Sequence, residues 1–463
     1  MRACHPAEFD RGSLIEVSTP HLRASTGGTS RLLAAGASSS QIGVTHAAAR
    51  QHSRRRVLRA PCGRSCSIDL HQKQTLALTG AIVGPLDSEG RGRRVDCLAP
   101  TIYPFAQQSV GQLRLSIRAL GLAARGARLT RMATEPDQED PFSGPPTLPS
   151  ALDVCCRGFA REEDATAVGQ QLGVAAGMIS RIIDLTTLDG FTVAYDYQQA
   201  LRQLDRGRDD LAPLMPSEGE IIGVGMSPLV VRGQQIKTHV VISAPHAEGF
   251  LETEANEAFR HSLGLLAHEC AHVEIHQWFN RAFPGVMLRH QLPDYTTAIA
   301  HQISEVCWEE YAACRLSALF NDGEGEMFAE TVTTVTPPVR ETVRRAIVEY
   351  RLNGDVRRLV QKVGESLHLP FKCVSYLLGH MDGSRESWEP YAAAQQALED
   401  AGLFELVGEL HEAQTELWLT RDEWASFAVF DRIHEVVLDI FAEAGLFLNA
   451  NYVDVPLTPD TTP

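Results

Sequence analysis

The residues best suited to chemistry are His268-Glu269-Cys270-Ala271-His272. Residues four apart on an α-helix lie on one face, about one turn along. Two imidazoles so placed can converge on one metal ion. Glu269 sits on the flank of that face, where it can reach a metal-bound water and take its proton. Zinc brings the pKa of such a water toward neutrality, so a carboxylate becomes an adequate base. The expected chemistry is therefore zinc-assisted hydrolysis, with His268 and His272 as ligands and Glu269 as the catalytic base.

A catalytic zinc needs a third protein ligand. A histidine six residues after His272 would serve, but that position is Trp278. His276 continues the same face. It lies two turns from His268, about 12 Å along the axis, so it is read as a supporting or packing residue. The following segment carries Glu305, Glu309 and Glu310 among Trp308, Tyr311 and small alanines. An inward carboxylate there is costly unless paired or metal-bound. We take Glu310 as the third ligand and Glu305 as the alternative, with Glu309 as an orienting carboxylate. Tyr311, His290, Tyr295, His301 and His380 are candidates to stabilise an oxyanion. Cys270 and Cys307 read as small buried residues rather than reactive thiolates.

Leu265 to His276 resembles the HExxHxxxH helix of the gluzincin peptidases, and among them the ImmA/IrrE-like family. Glu310-Tyr311-Ala312-Ala313 is similar to the element that supplies their third zinc ligand. The resemblance covers about residues 160–320. It implies a zincin-like domain, zinc held by His268, His272 and Glu310, Glu269 as base, and a peptide or protein substrate. Two features depart from the pattern: an insertion around Pro284 to Tyr295, and Cys314 where such peptidases often carry an acidic residue. The other reading is a regulatory or binding protein that keeps a zincin fold around structural zinc.

These residues need elements to position them. Ala255 to Asn280 reads as a strong helix stopped before Pro284-Gly285, and Thr296 to Phe320 as a second, stopped by Asn321-Asp322-Gly323. Upstream, a helical pattern covers Glu162 to Met178. Arg181 to Asp189, Phe191 to Tyr195, Ile221 to Met226 and Ile236 to Ser243 are strand-like. The last, rich in β-branched residues, would suit an exposed edge to which an extended peptide adds, and equally a structural strand that meets no substrate. Pro337 to about Leu448 reads as helices broken at Asn353-Gly354, Pro370 and Asp382-Gly383. The expected class is α+β: a zincin-like domain over 151–330, then an all-helical region over 331–463.

The net charge of −16 is unevenly spread. Residues 1–131 hold 19 Lys+Arg against 7 Asp+Glu, net +12, and the rest hold 23 against 51, net −28. An acidic folded part repels phosphate backbones, so nucleic acid is not an expected partner. The first 131 residues suit a disordered arm, a transit peptide, or upstream sequence read through to a working start at Met132; we prefer the last. Residues 132–150 read as a linker, Pro-rich from Pro141 to Pro149. A metal knuckle at Cys62, Cys66 and His71 lacks a second ligand pair. A helix-turn-helix around Gln170 to Arg181 lacks flanking helices and basic charge. The spacing of the ten cysteines is not that of a secreted disulfide scaffold. No apolar run approaches the ~20 residues of a membrane span. A cytoplasmic protein is the expectation.

Overall fold

A computed structural model of the chain describes residues 142–457, apart from 212, 217–222, 253–254, 289–290, 293, 322 and 450–451, together with the short strands Cys66–Ser67 and Thr75–Leu76. The readings offered for the remainder of the N-terminal extension, the Cys62–His71 cluster among them, lie outside the described residues. The fold is mixed α+β, a small sheet with many helices.

The sheet forms from β1 (Asp153–Arg157), β2 (Leu188–Ala194), β3 (Gly223–Met226), β4 (Leu229–Arg232) and β5 (Gln235–Ser243). Strands β1, β2 and β5 run parallel, with Phe191 opposite Val154 on one side and Val240 on the other. On its second side β5 pairs antiparallel with both β3 and β4, Gly225 opposite Ile242 and Leu229 opposite Thr238. Strand β5 is therefore interior, not the exposed edge its sequence suggested. Gly233, at φ 64°, begins the two-residue turn that folds β4 back onto β5. Beyond β3 a sixth strand, Thr75–Leu76, adds in antiparallel register and forms that edge of the sheet; β1 is the opposite edge. The segment before β2, read as strand-like from Arg181, is instead turns and bends up to Thr187. Backbone groups there are met by a distant segment as well as by the turns, as where Thr147 Oγ1 accepts from Leu185 N.

Alternation along β5 divides its two faces. Val240 and Ile242 enter the main core beneath helices α1 (Glu162–Ile179) and α3 (Glu257–Ala282). Val241 faces a smaller cluster formed with Tyr197, Ala200 and Leu201 around α2 (Tyr197–Arg202). Helix α1 is followed by turns and then strand β2, so it belongs to no helix-turn-helix. Helix α3 is buried on almost every side from Ser262 to Val273. Its apolar residues accordingly surround it rather than forming a stripe. Asn256 starts α3 by accepting from Phe259 N at 2.9 Å, and Asp294 caps α4 (Tyr295–Ser317) through Thr297 N at 2.9 Å.

Beyond α4 come α5 (Glu324–Val335), α6 (Val339–Asn353), α7 (Val356–Ser384), α8 (Ala392–Asp400), α9 (Phe404–Thr420) and α10 (Asp431–Glu443), and then an antiparallel pair, Phe447–Asn449 with Tyr452–Asp454, so this region is not all-helical, contrary to expectation. The break at Asn353-Gly354 is present: Gly354 closes α6 with φ 72°, and Asp355 caps α7. The expected breaks at Pro370 and Asp382-Gly383 are absent, because α7 runs through both. Packing outweighs the propensity penalty there. Lys372, Tyr376, Gly379 and Gly383 recur at four, three and four residues and share one face of α7. A side chain on Gly379 would strike the Tyr311 carbonyl, and one on Gly383 would sit 2.6 Å from that of Arg315. These glycines let α7 lie almost backbone to backbone on α4. One continuous set of buried apolar side chains runs from Val154 to Leu446 and includes residues on both sides of position 330.

Candidate metal centre

Helix α3 presents His268 and His272 one turn apart, and α4 brings Glu310 to them. The Nε2 atoms of the two histidines lie 3.2 and 3.5 Å from Glu310 Oε2. All three side chains are buried, at 5%, 1% and 2% exposure. Among the described residues this is the only group of three or more His, Cys, Asp or Glu side chains arranged to hold a metal ion. Zinc at its usual ~2.0–2.1 Å from N and O ligands has tetrahedral edges of roughly 3.3 Å. The two measured separations fall on either side of that length, so the donor set fits such an ion. Glu305 and Glu309 are buried on the same helix but stand outside the trio.

Electrostatics agree with the geometry. Burial opposes ionisation of Glu310, yet the neighbouring Lys372 ammonium and the two imidazoles outweigh it. They hold its carboxyl well below the usual carboxylate range. Burial likewise opposes charge on His268, and its contact with Glu310 reverses the effect and raises its pKa.

Two of the three candidate ligands have an outer contact. His268 Nδ1 is 3.6 Å from Cys314 Sγ. Glu310 Oε1, the oxygen turned away from the histidines, lies 3.2 Å from Lys372 Nζ. The thiols nearby are inert: burial pushes Cys314 well up and Cys307 up to about 12. Cys270 and Cys307 are both buried, as small packing residues should be. His276 is held by Thr238, with Oγ1 and Nδ1 2.7 Å apart, and is not one of the trio.

Glu269 is fully buried and packs against β3. Its Oε2 accepts from Ser227 Oγ at 2.6 Å, and the same hydroxyl lies 3.0 Å from its own carbonyl oxygen. A Cβ on Gly225 would stand 2.8 Å from the Glu269 Cδ, so only glycine lets the carboxylate occupy that place. Ser227 and Pro228 interrupt the run from β3 to β4, which aims Ser227 at α3.

The oxyanion candidates fare differently. The Tyr311 hydroxyl is engaged by Asp382 and Arg315. His380 lies within helix α7, not in a loop, with its ring 6.0 Å from that of Phe328. The His301 ring lies 6.2 Å from that of Phe427. His290 and the Tyr295 side chain lie outside the described residues. An open groove of about 590 Å³ lined by His411, Thr415, Glu416 and Arg432 includes no residue of the trio.

Sequence reasoning missed Gly225, Ser227 and Lys372. The signal for Lys372 was present, a single cation inside the apolar run from Leu367 to Leu378. Compared with family models, with characterised proteins and with solved structures, the chain matches none. Among the described residues no helix is long and apolar enough to cross a membrane.

Proposed function

We propose that this chain is a zinc-dependent metallopeptidase of the gluzincin type, with a zincin-like domain built around α3 and α4. The observation that carries the reading is the meeting of His268 Nε2, His272 Nε2 and Glu310 Oε2 at separations of 3.2 and 3.5 Å, with Glu269 next in sequence to the first. Two imidazoles and one carboxylate are a ligand set used by catalytic zinc. Zinc bound there would polarise a carbonyl oxygen and acidify water. Glu269, oriented by Ser227, takes the proton of the attacking water and delivers it to the departing amine. An extended substrate would pair with β3 in the place that Thr75–Leu76 takes in antiparallel register, with Thr75 opposite Gly225, and so would displace that segment.

The near-complete burial of His268, Glu269, His272 and Glu310 favours a second reading, a binding protein with structural zinc. One experiment separates the two. Glu269→Gln is expected to keep stoichiometric zinc and lose peptide cleavage by about 10²–10⁴-fold, as for loss of a positioned base. Zinc-loaded wild type that cleaves no member of a diverse peptide library, under conditions where a control zinc peptidase does, would leave only the binding reading.

A further inference from the structure

We propose that Lys372 is the charge partner that keeps Glu310 folded into the site before metal arrives, and that metal binding works against this cation. The inference rests on the zinc reading of the trio. It assigns to the C-terminal helical region a direct part in the metal centre.

Lys372 is 5% exposed and Glu310 2%. Nζ and Oε1 are 3.2 Å apart, while Oε2 of the same carboxylate faces the two histidines. The two oxygens therefore have separate duties, one toward a cation of the protein and one toward the ligand pocket. Burying a lysine and a glutamate together gains little over an apolar pair of the same size, whereas removing one partner strands a charge at high cost. Leu367, Phe371, Cys373 and Val374 pack around this turn of α7 without needing a charge, so the ammonium is accounted for by Glu310 rather than by packing. The Tyr376 ring, 5.7 Å from Nζ, adds a cation–π contact on the same face of α7. The position is set by the close α4–α7 approach that Gly379 and Gly383 permit.

Two consequences oppose each other. In metal-free protein Lys372 neutralises Glu310, so the buried site survives empty. When a divalent cation enters, it meets a carboxylate whose charge is already shared and a second cation close by. Removing the ammonium should therefore destabilise the metal-free protein and strengthen zinc binding together, a combination that loss of ordinary packing does not produce.

The test uses the full chain, stripped with a chelator, then titrated with zinc against a competing chromophoric chelator and melted with and without zinc. For Lys372→Met we expect a lower melting temperature without metal, a larger rise on zinc addition than in wild type, and apparent zinc affinity raised at least about tenfold. The double variant Lys372→Met/Glu310→Gln strands no charge. It should recover most of the metal-free stability, and it decides the matter if the single variant does not fold. Zinc affinity of Lys372→Met unchanged or weaker than wild type would overturn the proposal. So would equal losses of melting temperature with and without zinc, or a double variant no more stable than the single one. If wild type takes up no zinc, the zinc reading itself falls, and the metal-free melts still decide whether Lys372 and Glu310 are paired.

Discussion

Gly225→Ala probes the contact that fixes the proposed base. The residue lies in strand β3 at negative φ, where alanine is ordinarily favoured over glycine by about 0.4–1 kcal/mol through the unfolded chain. Here the added Cβ would stand 2.8 Å from the Glu269 Cδ and 3.0 Å from its Cγ, against an ordinary contact of 3.4 Å or more. The Glu269 Oε1 lies nearer still, so the carboxylate must retreat by about an ångström in a packed interior, where overpacking costs about 1–3 kcal/mol. Retreat strains the 2.6 Å bond from Ser227, a hydrogen bond to a carboxylate worth about 1.5–3 kcal/mol. The net expectation is a loss of about 2–4 kcal/mol of unfolding free energy. Cleavage should fall by about 10–100-fold while zinc stoichiometry stays at wild-type level. The decisive assay is a denaturant-unfolding cycle with Glu269→Ala, which removes the atoms in conflict. In that background Gly225→Ala should become neutral or mildly stabilising, a coupling of about 3 kcal/mol. If Gly225→Ala costs the same in both backgrounds, the strand and the carboxylate are not in the contact described, and the placement of the base is wrong.

Two further outcomes follow. Ser227→Ala should destabilise by about 1–3 kcal/mol, because it leaves a fully buried Glu269 short of a donor. It should also lower kcat more than it raises KM; a change confined to KM would remove Ser227 from the task of orienting the base. His246 faces His261, with Nδ1 and Nε2 3.1 Å apart, and burial together with that neighbour holds its pKa down to about 4. A depressed histidine stays neutral in the fold, so its contribution is complete above pH 6.5 and is lost as pH falls toward 4. After allowance for its partial exposure, about 2 kcal/mol should disappear over that range. His246→Gln should lose correspondingly less between pH 7.5 and 4.5 by urea unfolding, and an unchanged pH slope would refute the assignment.

Much of the candidate metal centre was legible because it depends on a single helical turn. The one-turn spacing of His268 and His272 needs only that α3 be a helix, and its cap at Asn256 and apolar surround make it one. Glu310 could be chosen because an inward carboxylate must be compensated. What stayed hidden depends on crossings between distant segments. Ser227 reaches Glu269 only once β3 and β5 pair in one register. Lys372 reaches Glu310 only once α7 settles on α4. Strand β5 looked like an edge because β-branched residues serve an edge or an interior equally well, and β3 and β4, which cover it, are short. Pro370 and Gly383 read as helix breakers, and their local cost is genuine. It is overridden because Pro370 is buried within α7 and Gly383, like Gly379, lies against the backbone of α4.

The single core from Val154 to Leu446 has a consequence for synthesis of the chain. A nascent polypeptide that has emerged only as far as Ser317 holds both histidines and Glu310 but lacks the helix that packs against Glu310 and carries its ammonium. The Lys372 side of the candidate centre can form only after α7 has emerged, well after the two histidines and Glu310 have done so. A fragment ending near residue 330 would expose the apolar face of α4 that α7 covers, and would behave as a client for chaperones rather than as a smaller working unit.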